Sequence, residues 1–262
     1  MECSTHNAKS SSNGVEEMNI VEDYDQEISL SDELEQYKLG VLRTSVEKKD
    51  PTSKGVDDMM LRRFLRARNL DIEKSSSLFL KYLKWRREFV PRGFISESEI
   101  TKDLAAKKFF LQGLDKDGRP IGVVLVAKHF PGKGKVGVDE FKRFVVYFLD
   151  KACSRMEGGQ EKFLIIADLQ GWGYSNFDLR GYVGAISILQ DCYPERLGKL
   201  LLVHVPYIFM AAWKMIYPFI DNNTRKKIAF VDNKKLSSTL LQYIDDSQIP
   251  ETYGGKLPLV PI

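Results

Sequence analysis

The segment LLLVHVPYIFMAAWKMIYPFID, residues 200–221, limits what this chain can fold into more than any other stretch. Its helical part is apolar on nearly every side, with Lys214 as the one charge. From Pro206 to Ile220 it is fifteen residues long, which makes about 22 Å of helix. A bilayer core needs roughly 30 Å, and Pro218 interrupts the end of the run. We therefore interpret the segment as an unusually apolar helix of a water-soluble protein rather than as a membrane span.

The rest of the chain is typical of a cytosolic globular protein. Its 262 residues, 43% of them hydrophobic, are enough for one large domain with a small accessory lobe. The polar start lacks the apolar core of a signal peptide. The three cysteines, Cys3, Cys153 and Cys192, have no paired spacing, which favours a reducing compartment. The formal net charge of +3 is too small to indicate a nucleic-acid partner.

Composition and periodicity divide the chain into three segments. Residues 1–28 are rich in Ser, Asn, Asp and Glu, and they predict a disordered polar tail. Residues 29–90 predict a helical N-terminal lobe, with one helix that is capped by Ser31 and runs to Lys49. Two further helices are predicted over residues 57–68 and 71–89. Residues 91–262 form the remaining domain.

The second domain reads as an α/β fold. The stretch KKFFLQGLDKDGRPIGVVLVA predicts two strands joined by a turn. KFLIIADL, KLLLVHV and KIAFV predict three more strands. Helices are predicted between these strands, one of them over residues 139–156, and Ser237 is expected to cap a final helix. Strands that alternate with crossover helices predict a mostly parallel sheet.

A glycine pattern raises the alternative of an NAD(P)-dependent oxidoreductase. Gly132, Gly134 and Gly137 spell G-x-G-x-x-G between a predicted strand and a predicted helix. Four residues separate the strand from Gly132, whereas a dinucleotide fingerprint turns directly off the strand. The acidic residue that ends the next strand, Asp168, also comes about thirty residues after Gly137 rather than about twenty. A flexible basic loop is the preferred interpretation.

Other patterns predict no active site and no metal site. DKDG at residues 115–118 is a turn, because the twelfth position of a calcium loop would be Val126 instead of Glu. His204 is expected to be a satisfied histidine inside a strand, and Asp168 is expected to accept hydrogen bonds from loop amides. Basic clusters occur at Arg62, Arg63, Arg66 and Arg68, and again at Arg225, Lys226 and Lys227. Together with an apolar helix, they indicate anionic headgroups or membrane surfaces.

These features, in this order, resemble the CRAL-TRIO family of soluble lipid-binding and lipid-transfer proteins, of the phosphatidylinositol transfer type. The resemblance covers roughly residues 33–257. LRRFLRARNLDIEKSSSLFLKYLKWRRE resembles the helical lobe of the family. The stations of its lipid-binding domain are matched by DKDGRPI, ADLQGW, YPERLGKLLLVHVP, YPFIDNNTRKKI and IPETYGGKL. The resemblance implies a non-enzymatic α/β protein that carries phospholipid as a ligand and needs no cofactor.

In that family, the helix that corresponds to residues 207–220 is the gate over an internal lipid cavity. The resemblance assigns to this gate Pro206, Ile208, Phe209, Ala212, Trp213, Ile216 and Phe219. One side of the gate would face acyl chains and the other would meet the membrane when the gate opens. The expected hinge lies at residues 218–223.

The resemblance also implies a phosphatidylinositol headgroup site. Its residues would be Arg68, Asp115, Pro120, Glu195, Thr224 and Lys227. Lys227 and Arg68 would neutralise phosphate, Thr224 would donate a hydrogen bond, and Glu195 would orient Lys227.

The chain departs from family members that also take phosphatidylcholine. Such members present tyrosines and hydroxyls at positions that are here Leu111, Gly122, Phe163 and Ile165. The second ligand is therefore left open, with a sterol or a terpenoid as alternatives. We expect a cytoplasmic monomer that associates reversibly with anionic membranes, and a lipid-sensing adaptor that binds without transfer remains the other alternative.

Overall fold

The computed structural model describes the backbone of residues 13–262 and the side chains of residues 30–262. The chain forms two compact units, which meet in the sequence between Leu80 and Lys81. The helix that runs across this division ends at Phe89. Its end is close to the predicted domain boundary, which lies between residues 90 and 91.

The first unit is helical, as predicted. It contains α1 (Asn13–Lys49), α2 (Asp58–Arg66) and the beginning of α3 (Ile72–Phe89). Asp57 caps α2, because its carboxylate accepts a hydrogen bond from the Met59 amide at 3.1 Å.

The start of α1 corrects one prediction. Residues 1–12 of the predicted tail lie outside the described residues, whereas residues 13–28 belong to α1. Ser31 is therefore inside the helix and is not its N-cap. The stretch from residue 13 to residue 49 contains no proline and many good helix formers, so the helix that packs further along the chain can extend backward through it.

The first unit has its own apolar core. Leu39, Leu42 and Val46 follow helical spacing along α1 and are fully buried. The rings of Phe64 and Phe79 meet edge to face, with centroids 5.1 Å apart.

The second unit contains a five-stranded sheet. Its strands lie in sequence order, β1 to β5. They are β1 (Phe109–Leu114), β2 (Pro120–Leu125), β3 (Phe163–Asp168), β4 (Leu197–Val203) and β5 (Ile228–Phe230). β1 pairs with β2 in an antiparallel hairpin, and the other neighbours are parallel. The predicted mostly parallel α/β fold is confirmed.

Strand register defines two edges of the sheet. Leu125 pairs with Asp168, and Asp168 pairs with Val203, so the carboxyl ends of β2, β3 and β4 lie side by side. We call this the carboxyl edge and the opposite side the amino edge. Loops at the carboxyl ends of parallel strands are where open α/β sheets place their ligands.

Six further helices belong to the second unit. They are α4 (Thr101–Ala105), α5 (Gly134–Ser154), α6 (Leu179–Cys192), α7 (Phe209–Ile216), α8 (Asn222–Arg225) and α9 (Leu236–Tyr243). The sequence did not predict α4 and α8, which are too short to show a period. α5 begins five residues before its predicted start at residue 139, and Ser237 lies inside α9 instead of capping it.

Side chains alternate between the two faces of the sheet and build two cores. Phe109, Leu111 and Phe163 point to the face that α5 and α6 cover. Ile121, Leu164, Ile166 and Leu201 point to the other face, where Leu240 of α9 packs. The face under α5 and α6 is the one that contains the cavities.

Candidate functional site

An apolar cavity of about 250 Å³ lies between one face of the sheet and α5, α6 and α7. The sheet contributes Val124, Ala167, Leu200 and Leu202, and α7 contributes Phe209, Trp213 and Ile216. The remaining wall consists of Phe109, Leu125, Val126, His129, Phe141, Leu169, Tyr182, Ala185 and Ile186. Because nearly all of these side chains are apolar, the cavity suits a hydrocarbon chain better than a polar metabolite.

A second apolar cavity of about 170 Å³ continues from the first. The two share a wall, which consists of Phe109, Val124, Phe141, Ala185 and Ile186. The rest of the wall of the second cavity consists of Val145, Phe148, Leu149, Ile165 and Leu189. The two apolar cavities therefore adjoin under α6, and Ala185 lies in the walls of both.

A groove of about 330 Å³ elsewhere in the second unit has a different character. Its wall carries an ion pair between Lys81 and Asp191 at 2.8 Å, together with the charges of Asp139 and Lys142. Charged groups in the wall make this groove unsuitable for an acyl chain.

The helix α7 has one buried face and one exposed face, and both are apolar. Phe209, Ala212 and Ile216 are buried, and the Trp213 ring is partly buried in the cavity wall. On the outward side, Tyr207 before the helix is 92% exposed and Met215 is 50% exposed. Ile208 and Phe219, which were assigned to the gate, also lie outward, and Pro206 is partly buried. One apolar face of the helix therefore lines the cavity, and the opposite apolar face is exposed to solvent.

The carboxyl end of α7 is held by polar contacts. The Gln190 side chain, on α6, donates to the Phe219 carbonyl at 3.1 Å and accepts from the Asp221 amide at 2.7 Å. The Arg225 guanidinium stacks 4.0 Å from the centroid of the Tyr217 ring and donates to the Tyr217 carbonyl at 3.1 Å. These contacts lie at the predicted hinge, residues 218–223, and they fix its position relative to α6 and α8.

A buried polar network borders the cavity, and sequence reasoning missed it. His129 Nδ1 lies 3.0 Å from Lys108 Nζ, and His129 Nε2 lies 3.1 Å from an Asp178 oxygen. An ammonium group can only donate, so Nδ1 accepts and the proton resides on Nε2. Burial lowers the pKa of His129, the Lys108 charge lowers that pKa further, and Asp178 acts in the opposite direction. Asp103 pairs with Lys108 on its other side.

A second polar cluster lies at the carboxyl edge. Asp168 accepts hydrogen bonds from the Gln170 amide, from His204 Nδ1 at 2.9 Å and from the Tyr253 hydroxyl at 3.1 Å. The pKa of Tyr253 is raised by burial and by the Asp168 charge. Asp168 therefore satisfies a loop amide, as predicted. His204 is paired as expected, but it follows β4 instead of lying inside it, with a φ of 51°.

Two of the predicted headgroup residues are in contact at the amino edge. Lys227 Nζ, just before β5, lies 3.2 Å from a Glu195 oxygen, just before β4. Both side chains are partly exposed, at 22% and 23%. Thr224 is on the neighbouring α8, where its hydroxyl donates to Asp221 at 2.9 Å.

Asp115 and Pro120 have a structural role in the β1–β2 turn. The Asp115 carboxylate is buried and accepts from the amides of Asp117 and Arg119 and from the Arg119 guanidinium. Pro120 begins β2 and pairs with Leu114. Arg119 extends toward β4, because a Cβ built on Gly198 would lie 2.9 Å from its Cδ. The turn therefore holds the Arg119 side chain beside Gly198 of β4. Sequence reasoning did not single out this residue.

Arg68 belongs to the first unit. It follows α2, and its guanidinium donates to the Ala67 carbonyl at 2.9 Å.

The four positions that the resemblance compares with choline-binding members, Leu111, Gly122, Phe163 and Ile165, offer no hydroxyl. Leu111 and Phe163 are buried in the core, and Ile165 lines the smaller cavity. A Cβ built on Gly122 would lie 2.5 Å from the Phe148 ring, so this ring takes the space that a side chain at residue 122 would need.

The glycine pattern at residues 132–137 has a packing explanation. A Cβ built on Gly132 would lie 2.4 Å from the Gly137 Cα, so the two backbones touch. Gly134 and Gly137 are already in the first turn of α5. The glycines therefore allow the loop to fold back on its helix, and no other feature of the described residues supports a dinucleotide site.

Among the residues that the structure describes, no helix combines the length and the apolar character needed to cross a bilayer. Nor do these residues contain three or more His, Cys, Asp or Glu side chains grouped to hold a metal ion.

Comparison with known proteins gives consistent matches. The model of the CRAL/TRIO domain family matches residues 104–255. A CRAL-TRIO domain-containing protein of Saccharomyces cerevisiae is 32% identical over 222 residues, which cover 76% of this chain and 71% of that protein. Sec14 cytosolic factor of Schizosaccharomyces pombe is 32% identical over 237 residues, which cover 84% and 82%. Some relatives are longer, and the chain spans 31% of one of them.

The fold also matches a solved structure. The crystal structure of Sfh5 aligns with a TM-score of 0.63 over 87% of this chain and 93% of that chain. The sequence identity is 20%, so this likeness supports the fold alone.

Proposed function

The chain belongs to the CRAL/TRIO domain family of lipid-binding and lipid-transfer proteins, and from this premise we propose that it binds phosphatidylinositol and moves it between membranes. The observation that carries the proposal is the apolar cavity whose wall includes the inward face of α7. In this proposal the protein performs no covalent chemistry and carries its ligand through the cytoplasm as a monomer.

The energetics of lipid exchange explain why such a cavity is useful. Each CH₂ group exposed to water costs about 0.8 kcal/mol. Two long acyl chains together cost on the order of 20 kcal/mol, so a phospholipid leaves a bilayer slowly without help. A protein that docks on the bilayer and offers an apolar space removes most of this cost.

The size of the cavity argues for a mobile α7. Ligand pockets for drug-sized molecules span roughly 300–1,000 Å³, and the cavity beside α7 measures about 250 Å³. A two-chain lipid needs more space, which an outward movement of α7 would supply. In our proposal Gln190 and Arg225 hold the carboxyl end of α7, so the helix swings on residues 218–223 and its other end, near Pro206, opens.

We place the headgroup at the amino edge. There Lys227 would exchange part of its contact with Glu195 for the lipid phosphate, with Thr224 as a hydrogen-bond donor. Arg119 is a further candidate, since the Asp115 turn presents its guanidinium beside Gly198.

The outward face of α7 is the proposed membrane contact. Tyr207, Met210 and Met215 are exposed apolar side chains on it, and Lys214 is the cation among them. Apolar side chains with a basic residue beside them are typical of segments that bind in the interfacial region of anionic membranes.

A vesicle-to-vesicle assay tests the proposal. Donor vesicles contain fluorescent phosphatidylinositol and a quencher, and acceptor vesicles contain neither. We expect the protein to accelerate the appearance of fluorescence in the acceptors, and phosphatidylcholine to move more slowly because Leu111, Gly122, Phe163 and Ile165 offer no hydroxyls. A protein that binds the lipid but does not accelerate its transfer would be a lipid-sensing adaptor instead.

A further inference from the structure

The connection between β2 and α5 combines lysines with exposed apolar side chains. Lys128, Lys133 and Lys135 are exposed, and residues 126–138 contain no Asp or Glu. Phe130 is 60% exposed and Val136 is 79% exposed. The first carboxylate after the connection, Asp139, faces Lys142 instead of these lysines. The connection therefore exposes two apolar side chains, Phe130 and Val136, among lysines whose charges no Asp or Glu of the same segment neutralises.

Close packing of two glycines gives this connection a defined shape. The backbones of Gly132 and Gly137 are in contact, since a Cβ on either would lie 2.4 Å from the backbone of the other. This contact folds residues 130–132 back on the first turn of α5, which carries Val136. The glycine pattern thus serves to present Phe130 and Val136 from one folded loop.

The connection leaves the sheet at the carboxyl edge, next to α7. At its base, Val126 and Ala127 pack on the apolar cluster that contains Phe209 and Ala212 of α7. The connections after β3 and β4 leave the same edge, and their exposed aromatic residues are Tyr174, at 67%, and Tyr207, at 92%. The base of the β2–α5 connection therefore lies beside α7, at the edge of the sheet from which all three connections leave.

We propose that residues 128–136 form a second membrane contact, in which Phe130 and Val136 enter the interfacial region of an anionic bilayer while Lys128, Lys133 and Lys135 lie beside lipid phosphates. This inference rests on the membrane-docking role proposed above for α7. An anionic bilayer fits better than a nucleic acid, because the loop exposes Phe130 and Val136, and apolar side chains gain from burial in lipid. The loop would orient the carboxyl edge, and with it α7, toward the membrane.

Co-sedimentation of the full chain with vesicles tests the proposal. The vesicles are phosphatidylcholine with roughly one-third phosphatidylserine, and pure phosphatidylcholine vesicles serve for comparison. The test variants are Phe130→Ala and the pair Lys133→Gln with Lys135→Gln. Phe94→Ala is the matched apolar control, because Phe94 is 58% exposed but follows α3. Lys151→Gln with Lys162→Gln is the matched charge control, since these lysines lie at the end of α5 and before β3.

The expected results separate the two contributions. A lysine near an anionic surface contributes about 1 kcal/mol, which is about a fivefold change in binding. The double lysine variant should therefore bind anionic vesicles roughly twentyfold more weakly, with the loss disappearing at high salt. Phe130→Ala should bind several-fold more weakly on both kinds of vesicle, and both controls should bind like the wild type.

Wild-type binding by both test variants would overturn the proposal. A loss in the lysine variant alone would overturn insertion of Phe130 and Val136. These outcomes are distinct from failure of the proposed function, which would appear as a wild-type protein that carries no phosphatidylinositol. Circular dichroism and thermal unfolding of each variant show whether it is folded.

Discussion

Lys227 is the residue on which the proposed headgroup site depends most. Its ammonium contacts Glu195 at 3.2 Å, and both groups are partly exposed. A lipid phosphate can therefore reach Lys227 without a deeply buried ion pair having to break. The contact with Glu195 would hold the lysine side chain in place and so reduce the entropy lost on binding.

We predict that Lys227→Ala lowers phosphatidylinositol transfer by roughly ten- to a hundredfold, the range expected for loss of a charge-assisted hydrogen bond. Lys226→Ala is the control, because Lys226 is the neighbouring exposed lysine with the same charge. The vesicle-to-vesicle assay measures both. Equal transfer by the two variants would remove Lys227 from the headgroup site.

His129 gives a prediction about pH. Burial and the Lys108 charge lower the pKa of His129 in the folded protein. Below the ordinary histidine pKa of about 6.5, the unfolded chain takes up a proton that the folded protein does not. The free energy of unfolding should therefore fall as the pH drops below about 6.5, by up to about 1.4 kcal/mol per pH unit from this group.

Urea unfolding at several pH values measures this dependence. In His129→Phe, the part of the pH dependence of the unfolding free energy that this histidine causes should be absent, whatever the stability of the variant at pH 7. The prediction fails if the wild type and the variant lose stability in parallel between pH 6.5 and pH 5.5.

Single residues were the hardest scale to predict from the sequence. Asp168 was correctly expected to satisfy a loop amide, because an acidic residue at a strand end usually does. The contacts of His129 with Lys108 and Asp178 join residues that are 21 and 49 positions apart, and no local pattern reports such contacts. The packing of Arg119 beside Gly198 was missed for the same reason, since Gly198 lies in a different strand.

At the scale of elements, α7 explains the apolar segment that limits the fold. Its inward residues line a cavity and its outward residues are exposed. Both faces would need to be apolar if the inner face contacts acyl chains and the outer face contacts a membrane. A core helix would be buried all round, whereas Met215 is 50% exposed.

We predict that Met215→Glu weakens binding to anionic vesicles by roughly tenfold, because a charged side chain would replace an apolar one at the proposed membrane contact. Leu241→Glu is the control, since Leu241 is 40% exposed on α9. Co-sedimentation compares the two variants. If Leu241→Glu has the larger effect, the outward face of α7 is not the contact.

The β2–α5 connection supplies a prediction about stability. Gly132→Ala places a Cβ 2.4 Å from the Gly137 Cα, so the backbones must separate. We expect this to lower the free energy of unfolding by about 1–3 kcal/mol. Gly173→Ala is the control, because a Cβ there meets no atom within 4 Å.

Chemical denaturation of Gly132→Ala and Gly173→Ala provides the comparison. Unchanged stability in Gly132→Ala would mean that the loop tolerates separation of the two backbones and has no fixed shape.

Long elements with a clear apolar period were predicted well, and short elements were predicted poorly. α3 and β3 agree with the prediction to within a residue or two, because apolar side chains mark their buried faces. α8 has four residues and shows no period. α5 was predicted to start at residue 139, where its apolar stripe begins, yet Gly134 and Gly137 lie in its first turn.

At the scale of the whole molecule, the alternation of strands and helices was sufficient to predict the mostly parallel sheet. It did not reveal the cavity, because Ala167, Ala185 and Leu200 have the same character in a filled core as in a hollow one. The cavity depends on the distance of α6 and α7 from the sheet. The packing of many side chains together sets this distance.

The central claim is that the apolar space beside α7 holds the acyl chains of phosphatidylinositol. Ala185 lies in the walls of both cavities. Ala185→Trp should fill this space while leaving α6 and the sheet intact, as cooperative thermal unfolding would show.

The most direct test is mass spectrometry of the lipids extracted from the purified full-length chain and from Ala185→Trp. We predict phosphatidylinositol at close to one molecule per wild-type protein and only traces in the folded variant. Phosphatidylinositol in equal amounts in both proteins, or its absence from the wild type, would contradict the account.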